Sequence, residues 1–134
     1  RQMCIRDRYK GEACALIRAN RERFGAYNLE LAEGRAPAAL ADLPAPDGVF
    51  IGGSEGELIP ILEAALSRNP AVRFCVTAIA VETLGVAVAA FTQLGMNPQI
   101  TQITVARSRR AGERNLMLGQ NPVWIVTGQK EALL

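Results

Sequence analysis

Residues 47–95 read DGVFIGGSEGELIPILEAALSRNPAVRFCVTAIAVETLGVAVAAFTQLG, and this stretch decides the fold. It opens on the apolar run GVFI at 48–51, read as a buried strand ended by the loop Gly52-Gly53-Ser54-Glu55-Gly56. Residues 57–67 read as a helix that tolerates Pro60 in its first turn. Residues 73–80 read as a second strand, and 81–94 as a second helix closed by Gly95. The apolar span FCVTAIAVETLGVAVAAF at 74–91 is long enough to test against a membrane span. Glu82 near its centre, with Thr77, Thr83 and Gly85, argues against one. Its first half is β-branched and its second half alanine-rich, so it is a strand running into a helix. Strand, helix, strand, helix is the signature of a parallel α/β sheet.

Working outward, residues 12–24 (EACALIRANRERF) carry Ala13, Leu16, Ile17 and Phe24 near helical spacing, with Gly25 as the C-cap. Residues 29–32 read as a short strand, 34–37 as a loop and 38–43 as a helical turn. On the other side, 99–107 and 123–127 read as strands with no convincing helix between them. Two strands so joined are most simply antiparallel. The expected architecture is α/β, a parallel sheet with an antiparallel pair at its C-terminal end. Residues 1–10, RQMCIRDRYK, have no clean period and hold three arginines. The string MCIRDR resembles translated sequencing-adaptor read-through, so 1–10 read as a non-native leader and 11–134 as the domain.

Composition narrows the chemistry. The 134 residues include no histidine, which excludes a Ser-His-Asp triad, a Cys-His dyad and HExxH zinc chemistry. The three cysteines, Cys4, Cys14 and Cys75, have no CxxC spacing and read as reduced thiols, so no metal site is expected. A net charge of +2 does not demand nucleic acid. With no signal-like or spanning segment, a cytoplasmic location is the expectation.

Ligands of open α/β sheets bind at the carboxyl ends of the strands. Here those ends are Glu33 to Pro37, Gly52-Gly53-Ser54, and Ala78-Ile79-Ala80 leading to Glu82. Gly52 and Gly53 let a ligand approach the backbone, although a plain turn uses the same residues. Glu82 opens a helix, where the dipole alone favours a carboxylate. Arg107, Arg109, Arg110 and Arg114 cluster in RSRRAGER, read as a basic loop. Guanidinium forks suit carboxylates and phosphates, and no aromatic residue is interleaved for stacking on bases.

Six segments together resemble one family. They are ALIRANRERFGAYNLEL, EGRAPAAL, DLPAPDGVFIGGSEGEL, TAIAVETL, VARSRRAGERNLML and NPVWIVTG, covering about residues 12–128. The family is that of class I, S-adenosylmethionine-dependent cobalamin-pathway enzymes that methylate precorrin-6-type substrates at C15. It occurs as stand-alone cobalt-precorrin-6B methyltransferases and as the C-terminal half of precorrin-6Y C5,15-methyltransferases. The resemblance implies a Rossmann-like sheet ending in a reversed strand, with S-adenosylmethionine as cofactor and a carboxylated tetrapyrrole as substrate. It also implies decarboxylation at the C12 acetate, a homo-oligomer, and a C5-methyltransferase domain as fused or separate partner; it implies neither nucleic acid nor membrane. It places Gly34, Arg35, Ala36, Gly52 and Gly53 at the cofactor. Ser54, Glu82, Arg107, Arg109, Arg110 and Arg114 fall at the substrate, and no catalytic residue is assigned. In the family a glycine-rich loop follows the first strand, and an acidic residue ends the second. The loop has no counterpart here, and the acidic position falls at about Asp7 or Arg8. Arg35, Glu55 and Thr77 depart from the usual Asp, Gly and Asn. The expectation is an N-terminally truncated domain, inactive alone. Two rivals stand beside it. One is a methyltransferase of the same fold acting on RNA or another small molecule. Against base methylation, Ile51-Gly52-Gly53-Ser54 replaces the (Asn/Asp)-Pro-Pro-aromatic motif. The other is a non-catalytic remnant serving assembly.

Overall fold

The computed structural model describes residues 4–8, 11–52 and 56–131. The chain divides into two compact units, residues 1–44 and 45–134. In the first, strand β1 (Cys4–Arg8) leads to helix α1 (Gly11–Arg23) and strand β2 (Leu29–Glu33), followed by a 3-10 turn at Ala38–Leu40. The strands pair in parallel, Cys4 opposite Leu29 through Arg8 opposite Glu33. The segment read as a leader thus contains a paired strand. Helix α1 ends at Arg23, and the expected cap Gly25 follows it closely: the Gly25 N–H donates to the Glu22 carbonyl and the Ala26 N–H to that of Arg21. These two bonds satisfy carbonyls that the helix end would otherwise leave unpaired.

The second unit is built on a four-stranded sheet. Its elements are β3 (Gly48–Ile51), α2 (Leu58–Arg68), β4 (Arg73–Ala78), α3 (Val81–Gln93) and β5 (Gln99–Ile103). A hairpin follows, β6 (Ala106–Ala111) and β7 (Arg114–Gly119), and then β8 (Val123–Gln129). The strand order is β3-β4-β8-β5. β3 and β4 are parallel, while β8 lies between β4 and β5 and runs antiparallel to both. The reversed C-terminal strand expected from the missing crossover helix is therefore present. Several boundaries differ from expectation: β4 stops at Ala78, the strand expected over 99–107 breaks after Ile103, the turn expected over 38–43 is shorter, and β8 runs on to Gln129. The arginine segment is not a loop but the β6–β7 hairpin.

One face of this sheet makes the core. Register places Val49, Ile51, Phe74, Val76, Ala78, Val126 and Gly128 on it. Ile51, Phe74, Val76, Ala78 and Val126 are buried with Leu58, Ile61 and Leu62 of α2 and Ala87, Ala90 and Phe91 of α3. The Leu, Ile, Val and Phe side chains among them stabilise by about 1.5–3 kcal/mol each when fully removed from water. Phe91 tilts against Phe74 at 6.1 Å between ring centroids. It also lies directly over Gly128, where a Cβ would stand 2.6 Å from Phe91 Cδ2. No side chain fits there while Phe91 stays in place. Past α3, the Gly95 N–H donates to the Thr92 carbonyl and the Met96 N–H to that of Phe91, and Met96 turns inward, buried.

The other face is barer. Phe50, Cys75 and Thr127 share it, and Phe50 is 60% exposed. An open cavity of about 620 Å³ lies there, lined by Phe50, Arg73, Cys75, Gln99, Thr127 and Gln129 among others. Among the described residues β3 pairs with no strand but β4, and β1 with none but β2. Each unit thus keeps an unpaired strand edge. No helix among the described residues is long and apolar enough to cross a membrane.

Candidate functional site

Sheet register brings one set of the expected residues to one edge of the second unit. Ile51 pairs with Val76, so Gly52 follows at the carboxyl end of β3 beside Thr77. A Cβ on Gly52 would sit 3.2 Å from the Phe50 ring and 3.8 Å from Thr77 Oγ1. The bare backbone at this strand end is therefore a local packing requirement as well as a possible ligand approach. β4 leaves the sheet at the same edge, and Glu82 lies exposed in the first turn of α3, where the helix dipole favours its charge. β8 enters at this edge, with Trp124 opposite both Ala78 and Gln102. The indole Nε1–H donates to Gln102 Oε1 at 2.9 Å. β5 also leaves here, and the hairpin rises from it, closed at its base by the Gln120 N–H donating to the Val105 carbonyl. Gly53 and Ser54 lie outside the described residues.

The hairpin separates the arginines that sequence proximity groups. Arg109 lies opposite Leu116, Arg107 opposite Leu118, and Ala111 opposite Arg114 across the turn. Side chains alternate along a strand. One face therefore carries Arg107, Arg109 and Arg114 with Leu116 and Leu118. The other carries Arg110 with Ser108, Asn115 and Met117. Arg110 Nε donates to the Gly112 carbonyl at 2.9 Å, which ties it to the turn. All twelve residues of β6 and β7 are exposed.

In the first unit the corresponding strand end is that of β2. There the Arg18 guanidinium donates to the Glu33 carboxylate at 2.6 Å. This bond, reinforced by the Cys14 thiol, holds the Glu33 carboxyl below the usual glutamate range. The sequence reading missed this tie; its signal was an acid ending a strand and an arginine on the preceding helix. Gly34 follows with φ +136°, and a Cβ there would lie 3.0 Å from Ala39 Cβ. The Arg35 carbonyl accepts from the Ala39 N–H, so Gly34, Arg35 and Ala36 form a turn folded back on the 3-10 segment. At this φ, and with Ala39 this near, the turn shows bare backbone at Gly34. No group of His, Cys, Asp or Glu able to hold a metal occurs among the described residues.

A parallel sheet with a reversed strand and ligand-ready carboxyl ends defines the class I S-adenosylmethionine-dependent methyltransferase fold. The crystal structure of an S-adenosylmethionine-dependent O-methyltransferase from Thermotoga maritima matches 98% of the chain and 51% of its own length, with a TM-score of 0.71 at 10% identity; this is a likeness of fold alone. The family model described as the precorrin methyltransferase domain matches residues 3–130, and the chain belongs to that family. It is 40% identical over 120 residues to a probable cobalt-precorrin-6B C(15)-methyltransferase (decarboxylating) of Pyrobaculum calidifontis, covering 89% of this chain and 62% of the relative. A relative of the same description from Methanothermobacter thermautotrophicus is 37% identical over 117 residues, 86% of this chain and 61% of its own. The structure of a precorrin-6Y C5,15-methyltransferase from Geobacter metallireducens matches with a TM-score of 0.88 and 33% identity, over 96% of this chain and 67% of its own. The chain spans about three fifths of the length of the curated relatives it matches.

Proposed function

We propose that the chain is the larger part of a domain that methylates a precorrin-6-type tetrapyrrole at C15, with loss of carbon dioxide from an acetate side chain. The observation that supports this most is the family match over residues 3–130, joined by relatives described as decarboxylating C15-methyltransferases. S-adenosylmethionine, when bound, supplies a methyl group from a sulfonium with a neutral thioether as the leaving group. Such a displacement asks the protein to position two reactants and exclude water, which needs neither histidine nor metal. Gly34, Arg35 and Ala36 at the end of β2 would face the adenosine part, and Gly52 and Gly53 the reacting end. Ser54, Glu82 and the arginine hairpin would meet the substrate, whose acetate and propionate groups suit guanidinium. The same reading takes residues 11–134 as part of the domain and includes a cytoplasmic setting. It includes self-association and a C5-methyltransferase as a fused or neighbouring partner.

Titration calorimetry tests this with two proteins: the 134-residue chain, and the chain preceded by the N-terminal third of the Pyrobaculum relative. The extended protein should bind S-adenosylmethionine at micromolar concentration and transfer its methyl to a precorrin-6-type substrate. The short chain should bind at least a hundredfold more weakly, the effect of losing about two charge-assisted contacts. Binding and transfer by neither protein would overturn the methyltransferase reading. Equal micromolar binding by both would overturn the inactivity of the short chain.

A further inference from the structure

We infer that Gln102 and Trp124 are positioning residues: with Thr104 they brace the bend at which the β6–β7 hairpin leaves the sheet, and so hold the arm that meets the substrate. The last step rests on the proposed role of the hairpin in methyl transfer. The brace itself rests on geometry alone.

β5 and β8 continue into β6 and β7 as one two-stranded ribbon with a break in it. Below the break the last pair is Ile103 with Val123, and above it the first is Ala106 with Gly119. Between these pairs stand two residues on the outgoing strand, Thr104 and Val105, and three on the returning one, Gln120, Asn121 and Pro122. An extra residue on one strand bends a ribbon and opens its ladder. Pro122 has no N–H with which to close it. Such a break is a hinge unless something spans it.

Hydrogen bonds span it. The Gln120 N–H donates to the Val105 carbonyl across the two strands. Below, the Trp124 indole Nε1–H donates to Gln102 Oε1 at 2.9 Å. Gln102 Nε2 in turn donates to Thr104 Oγ1 at 3.3 Å. Gln102 thus uses both ends of its amide, accepting from β8 and donating to the first residue past β5. The indole N–H is a donor only, which fixes the end of the amide that faces it. Trp124 is anchored in turn. It lies opposite buried Ala78 of β4 as well as Gln102 of β5, and shares the helix-covered face of β8 with buried Val126. The brace therefore runs from the packed sheet, through the indole and the amide, to the foot of the arm.

Bonds of this kind are modest in water, so they do not decide whether the sheet folds. They decide how the arm is distributed among angles. Where the binding-competent arrangement is only partly populated, affinity falls by that fraction. Loss of the brace should weaken binding to the arm and leave the chemistry of the bound complex alone.

Hydrogen exchange on the full 134-residue chain reads the brace. Gln102→Met keeps the length of the side chain and removes both of its bonds. It should speed exchange across residues 104–122 about tenfold and leave α3, residues 81–93, unchanged. Thr104→Val removes the outer bond alone, from an exposed residue outside any strand, and should speed exchange about threefold. Gln102→Glu keeps the acceptor for the indole and should behave like Thr104→Val. Equal exchange in the parent, Gln102→Met and Thr104→Val would overturn the brace. So would an equal rise in α3, which would make these residues part of the general stability of the sheet. In the extended protein, Gln102→Met should raise the KM of a precorrin-6-type substrate about threefold to tenfold. Its kcat and its affinity for S-adenosylmethionine should stay within about twofold of the parent. Gln102→Glu should recover part of the KM. Faster exchange with an unchanged KM would overturn the positioning role. An extended parent that neither binds S-adenosylmethionine nor transfers its methyl defeats the proposed reaction, while exchange in the 134-residue chain still decides the brace.

Discussion

The helix-covered face of the β3-β4-β8-β5 sheet and the β6–β7 hairpin belong to the same unit and share β-structure, yet they are built on opposite terms. On the covered face, Phe74, Val76 and Val126 are buried beneath α2 and α3, and Phe91 sits so close to β8 that position 128 admits glycine only. On the hairpin, every residue is exposed and apolar side chains stand on both faces, Leu116 and Leu118 on one, Met117 on the other. The covered face gains its stability from packing inside the unit. Among the described residues the hairpin has no such partner within the unit, and its strands are held by each other alone.

Substitutions should separate the two regions by size of effect. The largest belongs to Phe91→Ala, which removes a fully buried ring and leaves a cavity. It should lower the stability of the second unit by about 3–5 kcal/mol. Urea unfolding followed by the fluorescence of Trp124, the single tryptophan, reads that unit directly. Gly128→Ala follows, because its new methyl would meet Phe91 at 2.6 Å. Overpacking of this kind costs about 1–3 kcal/mol, and combining it with Phe91→Leu should recover part of the loss. No recovery would place the strain elsewhere than at Phe91.

Hairpin substitutions should hardly register on the same assay. Leu116→Ser and Met117→Ser should each shift stability by less than about 0.5 kcal/mol, although both residues are apolar. A loss as large as that of Phe91→Ala would break the contrast and show the hairpin to be part of the core.

The smallest effect is expected in the first unit, where the Arg18–Glu33 pair is exposed on both sides. Its contribution is limited by solvent screening. The direction is nonetheless fixed. Arg18 lowers the Glu33 carboxyl in the folded state, so the folded state takes up its proton later than the unfolded chain as pH falls. The pair therefore stabilises above the ordinary glutamate range, and the gain is lost as pH falls through that range to the lowered folded value. The melting difference between the parent and Glu33→Gln should be present at neutral pH and vanish in acid. A difference that grows on acidification would reverse the assignment.

Much of this architecture was legible in the chain. Glycines 25 and 95 marked the ends of α1 and α3 to within a residue or two, because a helix needs particular chemistry to stop. GVFI and RFCVTA announced strands through apolar and β-branched content. The hairpin escaped because ARSRRA and RNLMLG are exposed on both faces, and a strand with no buried face has no reason to alternate. For the same reason Arg109 and Arg110 looked equivalent as neighbours, and pairing with Leu116 and Asn115 was needed to part them. β1 was hidden by a composition unlike that of the residues after it. The tie between Arg18 and Glu33 joins positions fifteen apart in sequence and has no local signature.

The place of β8 also governs when the second unit can form. β8, the last strand among the described residues, is an inner strand of the sheet, seated between β4 and β5. During synthesis, β4 and β5 must wait for residues 123–129 to clear the ribosome before either can complete its hydrogen bonds. Until then Phe74 and Val76 lie on strands with no β8 to hold them, and the nascent chain is at its most vulnerable to chaperones, proteases and its own copies. A stop codon or a nick shortly before Val123 would therefore take away the keystone of the sheet rather than a dispensable tail.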